Sequence, residues 1–126
     1  MGKKCEFKFK TVLVSFPFED FKSHKVRPAL CLTEPIGDHE HIVLAFISSK
    51  VPDFLDESDL LVDIDADLGE TTGLIKNSVI RFHKIISIPK SLIKRQLGYI
   101  HGRNQNYIHE KKKKNCLAFS IYNALN

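Results

Sequence analysis

No stretch of this 126-residue sequence approaches the ~20 consecutive apolar residues that a membrane-spanning helix requires. The opening Met1-Gly2-Lys3-Lys4-Cys5 leads into charged sequence and not into the apolar core of a secretion signal. Position 6, where N-myristoylation at Gly2 needs Ser or Thr, holds Glu6. Neither membrane attachment nor secretion is expected. Cysteine is scarce: Cys5, Cys31 and Cys116 are odd in number, scattered and without a C-x-x-C pair, as expected for thiols of a reducing cytoplasm and not for a disulfide framework. The sequence also lacks a phosphate-binding P-loop, a dinucleotide glycine fingerprint and a nucleophile elbow. What remains is ordinary, with 43% hydrophobic and 27% charged residues. That balance and length suit one domain over 1–126, able to bury about two-thirds of its unfolded surface without metal or disulfide.

The formal charge of +4 is unevenly placed. Residues 1–102 carry fourteen Lys/Arg and fourteen Asp/Glu, so the excess lies in residues 103–126, where Arg103 and the lysine run 111–114 face only Glu110. Residues 53–70 hold eight acidic groups and no basic one. This is a neutral body with an acidic flank and a basic tail, and its pI alone does not argue for nucleic acid.

The body reads as closely spaced short strands. Residues 7–10 (FKFK) alternate and continue into 11–16 (TVLVSF), which Pro17 ends. A polar loop, 19–27, precedes a compact apolar strand over 28–33, with Pro28 as its first residue. Residues 41–48 (HIVLAFIS) are apolar almost throughout, predicting a strand buried on both faces. Residues 60–67 alternate again, with Asp63, Asp65 and Asp67 on one face. Residues 78–88 supply another strand, bent in its course. Pro89 suits the first turn of a short helix over 90–97, with Gly98 after its end. Residues 104–125 place Ile108, Leu117, Ile121 and Leu125 at helical spacing. The fold class expected is mainly β (α+β): a small, strongly curved antiparallel sheet or barrel closed by C-terminal helix.

Three features bear on chemistry, each with a plainer alternative. Arg27 precedes Pro28 at a strand mouth, held extended, where a guanidinium can clamp an oxyanion or simply pair with Glu19 or Asp20. Ser48 and Ser49 close the apolar strand and either bind phosphate or cap the strand end. Arg81 and His83 are two apart on a strand and share a face, giving an anion holder beside an acid/base group, or two solvated side chains. Metal patterns fail: His39 and His41 lack a third ligand nearby, and the calcium-loop pattern begun by Asp63, Asp65 and Asp67 meets Leu68 and Leu74 where glycine and glutamate belong. The lysine run most simply covers a solvated helix face.

In order along the chain stand TVLVSFPF (11–18), VRPALCL (26–32), IVLAFISSK (42–50), TTGLIKNSVIR (71–81) and QLGYI (96–100). This order resembles the MazF/PemK family of toxin–antitoxin endoribonuclease toxins over about residues 9–100, with 101–126 a divergent basic tail. The resemblance implies an SH3-like small barrel that pairs as a homodimer, cleaves single-stranded RNA without a metal or other cofactor, and is inhibited by a cognate antitoxin. It places the family's arginine before proline on Arg27 and its strand-end threonine on Ser48, which keeps the hydroxyl but not the methyl. Ser49 matches the serine that often follows. Arg81 matches a further arginine, while His83 stands where PemK-like members carry aspartate.

Cleavage of this kind needs a base for the 2′-hydroxyl, charge stabilisation for the phosphorane and an acid for the leaving 5′-oxygen. Arg27 suits the second task, since preorganised charge can contribute about 3–4 kcal/mol. Ser48 can hold a phosphate oxygen or the 2′-hydroxyl, and the His83 imidazole can serve as base or acid. Because the acidic stretch repels RNA, the substrate is expected on the opposite surface near loop 19–27, with His24 and Lys25 joining Ser49 and Arg81 as contacts. Asp56, Glu57 and Asp59 should then be dispensable. The alternative is a non-catalytic binding module on the same barrel, either a gyrase-poison-like toxin or an inactive relative that binds RNA or antitoxin. The gyrase poisons act through a tryptophan-containing end, and this sequence has no Trp.

Overall fold

A computed structural model describes residues 6–16 and 25–114. Its six strands are β1 (Lys10–Phe16), β2 (Lys25–Cys31), β3 (His41–Ser48), β4 (Asp59–Val62), β5 (Ser78–Pro89) and β6 (Ile93–Tyr99). They form one antiparallel sheet in the order β4-β5-β3-β2-β1-β6. The apolar run of β3 lies between β5 and β2 and is buried on both faces, as its composition predicts. Val43, Ala45 and Ile47 enter one core cluster with Leu30, Ile80 and Phe82, and Ile42 and Leu44 enter a second with Val12, Val14 and Ile88.

The expected bend in β5 is a bulge. Its ladder with β3 passes from Ala45↔Ile85 directly to Phe46↔Arg81, leaving Phe82, His83 and Lys84 outside the pairing. Phe82 points into the core, and its amide donates to the Ser58 carbonyl at 2.9 Å.

Four local expectations are corrected. The alternating 7–10 segment is a turn: the Glu34 carboxylate accepts from the Lys8 amide at 2.8 Å and from that of Phe7, while Phe9 takes φ 66. The second strand begins at Lys25, so Pro28 lies inside it, opposite Leu13. At that point β2 is bonded to β1 alone, an edge position that tolerates a residue without an N–H. Of the acidic alternation over 60–67 only residues 60–62 are strand, the end of β4. Asp63 then draws the chain into a turn, its carboxylate accepting from the Asp65 amide at 3.0 Å and its carbonyl from the Ala66 amide at 3.0 Å, and helix α1 (Asp67–Glu70) follows. Residues 90–97 are a single 3₁₀ turn, Lys90–Leu92, followed by β6 and not by a helix. Tertiary demand overrides the local signal there, because β6 supplies the second partner of β1. Gly98 is accordingly a strand residue, where a Cβ would lie 2.2 Å from the Thr71 carbonyl oxygen.

Among the described residues no β4–β6 ladder closes the sheet. Residues 71–72 instead bond to the β1–β6 side of the sheet: Tyr99 N donates to Thr71 O at 2.9 Å, Thr71 Oγ1 to Tyr99 O at 2.7 Å, and Thr11 Oγ1 to Thr72 O at 2.5 Å. The C-terminal helix begins as expected. A 3₁₀ turn (Gly102–Asn104) leads into α2 (Gln105–Lys114), which buries Ile108 in the first core cluster and sets His109 edge-on to Phe9. Leu117, Ile121 and Leu125 lie outside the described residues.

Candidate functional site

The β2–β3 ladder has three pairs, Cys31↔Leu44, Leu30↔Ala45 and Ala29↔Phe46. The next β2 residue is Pro28, which has no N–H to donate, and the ladder stops. Beyond that point a cleft of about 350 Å³ lies between the strands. Arg27 and Pro28 line one side, Phe46, Ile47 and Ser48 the other, and Ser49 and Lys50 its rim. Arg81 and Lys84 come from β5, either side of the bulge apex. Four cationic side chains thus meet around two hydroxyls. The Ser48 Oγ accepts from the Lys50 amide at 3.1 Å, so its own proton is left to donate to a ligand oxygen. The strand-capping and ligand-binding uses of Ser48 are therefore compatible.

Arg81 is held from behind. Its Cα partner on β4 is Asp59, whose side chain is fully buried, and Arg81 Nε donates to Asp59 Oδ1 at 3.3 Å. Asp59 Oδ2 accepts from the Asp56 amide at 3.1 Å. The same carboxylate lies 3.7 Å from His83 Nδ1, and that ring nitrogen also meets Ser58 Oγ at 2.8 Å. Arg81 and His83 therefore do share a face, as the strand spacing predicts, with Asp59 between them. His83 does not line the cleft. The start of the acidic segment borders the cleft and does not lie opposite it, and Asp59 is a buried partner of Arg81, not a surface charge.

With that geometry in place, the sequence matches, over residues 8–114, the family of PemK-like, MazF-like toxins of type II toxin–antitoxin systems. The chain belongs to this family. Its fold is similar to that of a Mycobacterium tuberculosis toxin, MazF-mt6, with a TM-score of 0.63 at 22% identity over 88% of this chain and 96% of that one. A second Mtb toxin gives a TM-score of 0.60 at 21% identity, covering 83% of this chain and 98% of that one. An endoribonuclease in complex with its cognate antitoxin, from Mycobacterial species, gives 0.59 at 9% identity, covering 85% and 90%. At such identities the likeness is one of fold. No curated protein matches the sequence.

Within this PemK/MazF framework the structure brings Arg27, Ser48, Ser49 and Arg81 together. Lys25 is the first residue of β2 and His24 lies outside the described residues, as do Glu19 and Asp20, the alternative partners considered for Arg27. The PemK/MazF match extends past position 100 into α2, so the helix that buries Ile108 belongs to the matched region. Lys50, which directly follows the serine pair, lies with them at the cleft. Sequence reasoning missed Lys84 and the pairing of Asp59 with Arg81. Lys84 and Asp59 depend on the bulge and on the β4–β5 register, neither of which has a local signal. Cys31 takes no part in the cleft: it is buried, and burial together with the nearby Glu34 charge pushes its thiol up to about 12. Among the described residues no three His, Cys, Asp or Glu side chains are grouped to hold a metal ion, and no helix is long and apolar enough to cross a membrane.

Proposed function

We propose that this PemK/MazF-family chain is an endoribonuclease toxin that cleaves single-stranded RNA at preferred short sequences, by attack of the 2′-hydroxyl on the adjacent phosphorus. The P–O5′ bond breaks as the P–O2′ bond forms, leaving a 2′,3′-cyclic phosphate and a 5′-hydroxyl, with no metal ion required. The observation that carries this reading is the convergence of Arg27, Arg81 and the Ser48 hydroxyl on one cleft, with Lys50 and Lys84 beside them. Two guanidiniums suit the bidentate, charge-assisted hydrogen bonds that stabilise a phosphorane, and the Ser48 proton completes its coordination. Lys50 and Lys84 suit flanking phosphates. His83, joined to Arg81 through Asp59, is assigned to proton transfer at one remove from the cleft, through an intervening water. The protein works as a homodimer and is restrained by a cognate antitoxin, in keeping with a structural neighbour that is an endoribonuclease in complex with its cognate antitoxin.

The test is cleavage of a mixed-sequence single-stranded RNA by the purified protein in EDTA, with analysis of the fragment ends. Cyclic-phosphate ends in EDTA, lost in Arg27→Ala, support the reading. Fragments with 5′-phosphates overturn the mechanism. RNA binding without cleavage by a folded, antitoxin-free protein overturns the enzyme and leaves a binding module.

A further inference from the structure

The Asp59 carboxylate is the one acidic group of the 53–70 segment whose side chain is fully buried and ion-paired at the back of the cleft. A buried carboxylate is costly unless both oxygens are satisfied. Here they are. One oxygen takes the Arg81 Nε hydrogen and the other the Asp56 amide hydrogen, while the Asp59 amide in turn donates to the Asp56 carbonyl at 3.0 Å. The acceptor is therefore fixed by backbone on a closed turn, not by another flexible side chain. The donor needs that fixing. Arg81 is the last residue of β5 in register with β3 before the bulge, and its side chain is about one-quarter exposed, so packing alone does not immobilise it. A bond to Nε also sets the plane of the guanidinium while leaving its terminal nitrogens for an anion. The exposed Asp56 carboxylate, 3.9 Å from Nη2, is a weak competitor for one of them.

We infer that Asp59 is a positioning residue that holds the Arg81 guanidinium on the cleft wall by its Nε, so that its terminal nitrogens meet a phosphate of the bound RNA. The catalytic consequence rests on the ribonuclease reading above, whereas the holding of Arg81 does not.

Asp59→Leu fills nearly the same space without an acceptor, and Asp59→Asn retains one oxygen able to accept from Nε. With wild-type protein active, Asp59→Leu is expected to lower kcat about tenfold or more, as a small misplacement of a charge-stabilising group does. Asp59→Asn recovers part of that loss. In an Arg81→Ala background, Asp59→Leu should cost far less than in the wild-type background, because the group it positions is gone and only the 3.7 Å approach to His83 remains. Equal losses in both backgrounds overturn the inference, since a purely structural role acts whether or not Arg81 is present. Should Asp59→Leu fail to fold, Arg81→Lys carries the test, because it keeps the charge but has no Nε fork. A loss of about tenfold supports the inference, and activity within about twofold of wild type overturns it.

If the wild-type protein cleaves no RNA, the ribonuclease reading falls and the inference is decided by the ¹⁵N-resolved Arg81 Nε–H resonance. Slow hydrogen exchange in wild type, lost in Asp59→Leu and kept in part in Asp59→Asn, supports the holding role. The same exchange rate in wild type and variants overturns it.

Discussion

Arg103, just beyond β6, grips Asp67 at the start of α1 with both sides of its guanidinium: Nε donates to Oδ2 at 2.8 Å and Nη2 to Oδ1. Asn104 adds a third hydrogen bond to Oδ2 at 2.9 Å. Together they tie the base of the C-terminal helix to the segment between β4 and β5. The hydrogen bonds from Arg103 and then Asn104 hold the Asp67 carboxyl below the usual carboxylate range. Because its folded value is depressed, the stabilisation is present above the unfolded value near 4 and is lost as pH falls through the folded one.

Acidification below about pH 4 is therefore expected to loosen α2 from α1. Both partners are solvent-exposed, so the effect is small and salt-sensitive. NMR titration of the Asp67 carboxyl checks it, and Arg103→Ala should return that titration towards the ordinary carboxylate range.

The raised thiol of Cys31 has the opposite consequence. Its folded value, about 12, exceeds that of an unfolded cysteine, so the folded protein keeps a proton that the unfolded chain has released. Stability should be unaffected below about pH 8.5 and decline as pH rises from there towards 12. The folded thiol should also resist alkylation at neutral pH. Cys31→Ala flattens the alkaline decline in denaturant titrations, and rapid iodoacetamide labelling of Cys31 in the folded protein would contradict its buried placement.

Gly98→Ala forces a Cβ to within 2.2 Å of the Thr71 carbonyl oxygen, which is backbone and cannot rotate away. The expected loss of stability is about 1–3 kcal/mol or more, read as a lower urea midpoint. Gly102→Ala, which meets nothing within 4 Å, is the control and should leave the midpoint nearly unchanged.

Cleavage should depend on the cleft more than stability does. Arg27 lies exposed at the cleft mouth, so Arg27→Ala is expected to lower cleavage about 10²-fold or more with little change in melting temperature. Ser48→Ala should lose less, and Ser48→Thr should retain activity because the hydroxyl is kept. Glu57→Lys should leave cleavage close to wild type, since the Lys111 Nζ contact at 2.9 Å is to the Glu57 carbonyl and not to its carboxylate.

How much was legible in the sequence depends on the range of the forces involved. The β3 strand was readable because a run of eight residues with almost no polar group can only sit where both faces are covered. Arg27 was readable because Pro28 fixes the backbone beside it. The 90–97 segment differs from expectation because Leu92, Ile93 and Leu97 fit a helix as readily as a strand, and what decides between them is the unpaired side of β1, about eighty positions away. The 60–67 alternation failed for a local reason, as Asp63 and Asp65 are better at turning a chain than extending it. Asp59 illustrates the hardest case. One acidic residue among eight is buried, and only the register Asp59↔Arg81 distinguishes it.

The position of β1 between β2 and β6 has a consequence during synthesis. One side of β1 finds its partner within the first thirty or so residues, but the other waits for residues 93–99, with Lys10 opposite Tyr99. At about 5–20 residues per second, that edge stays open for several seconds while the rest of the sheet is made. Every residue lining the cleft has been synthesised by Lys84, before the strand that seals β1 exists. The nascent chain thus still presents a sticky strand edge after every residue of the cleft has been made.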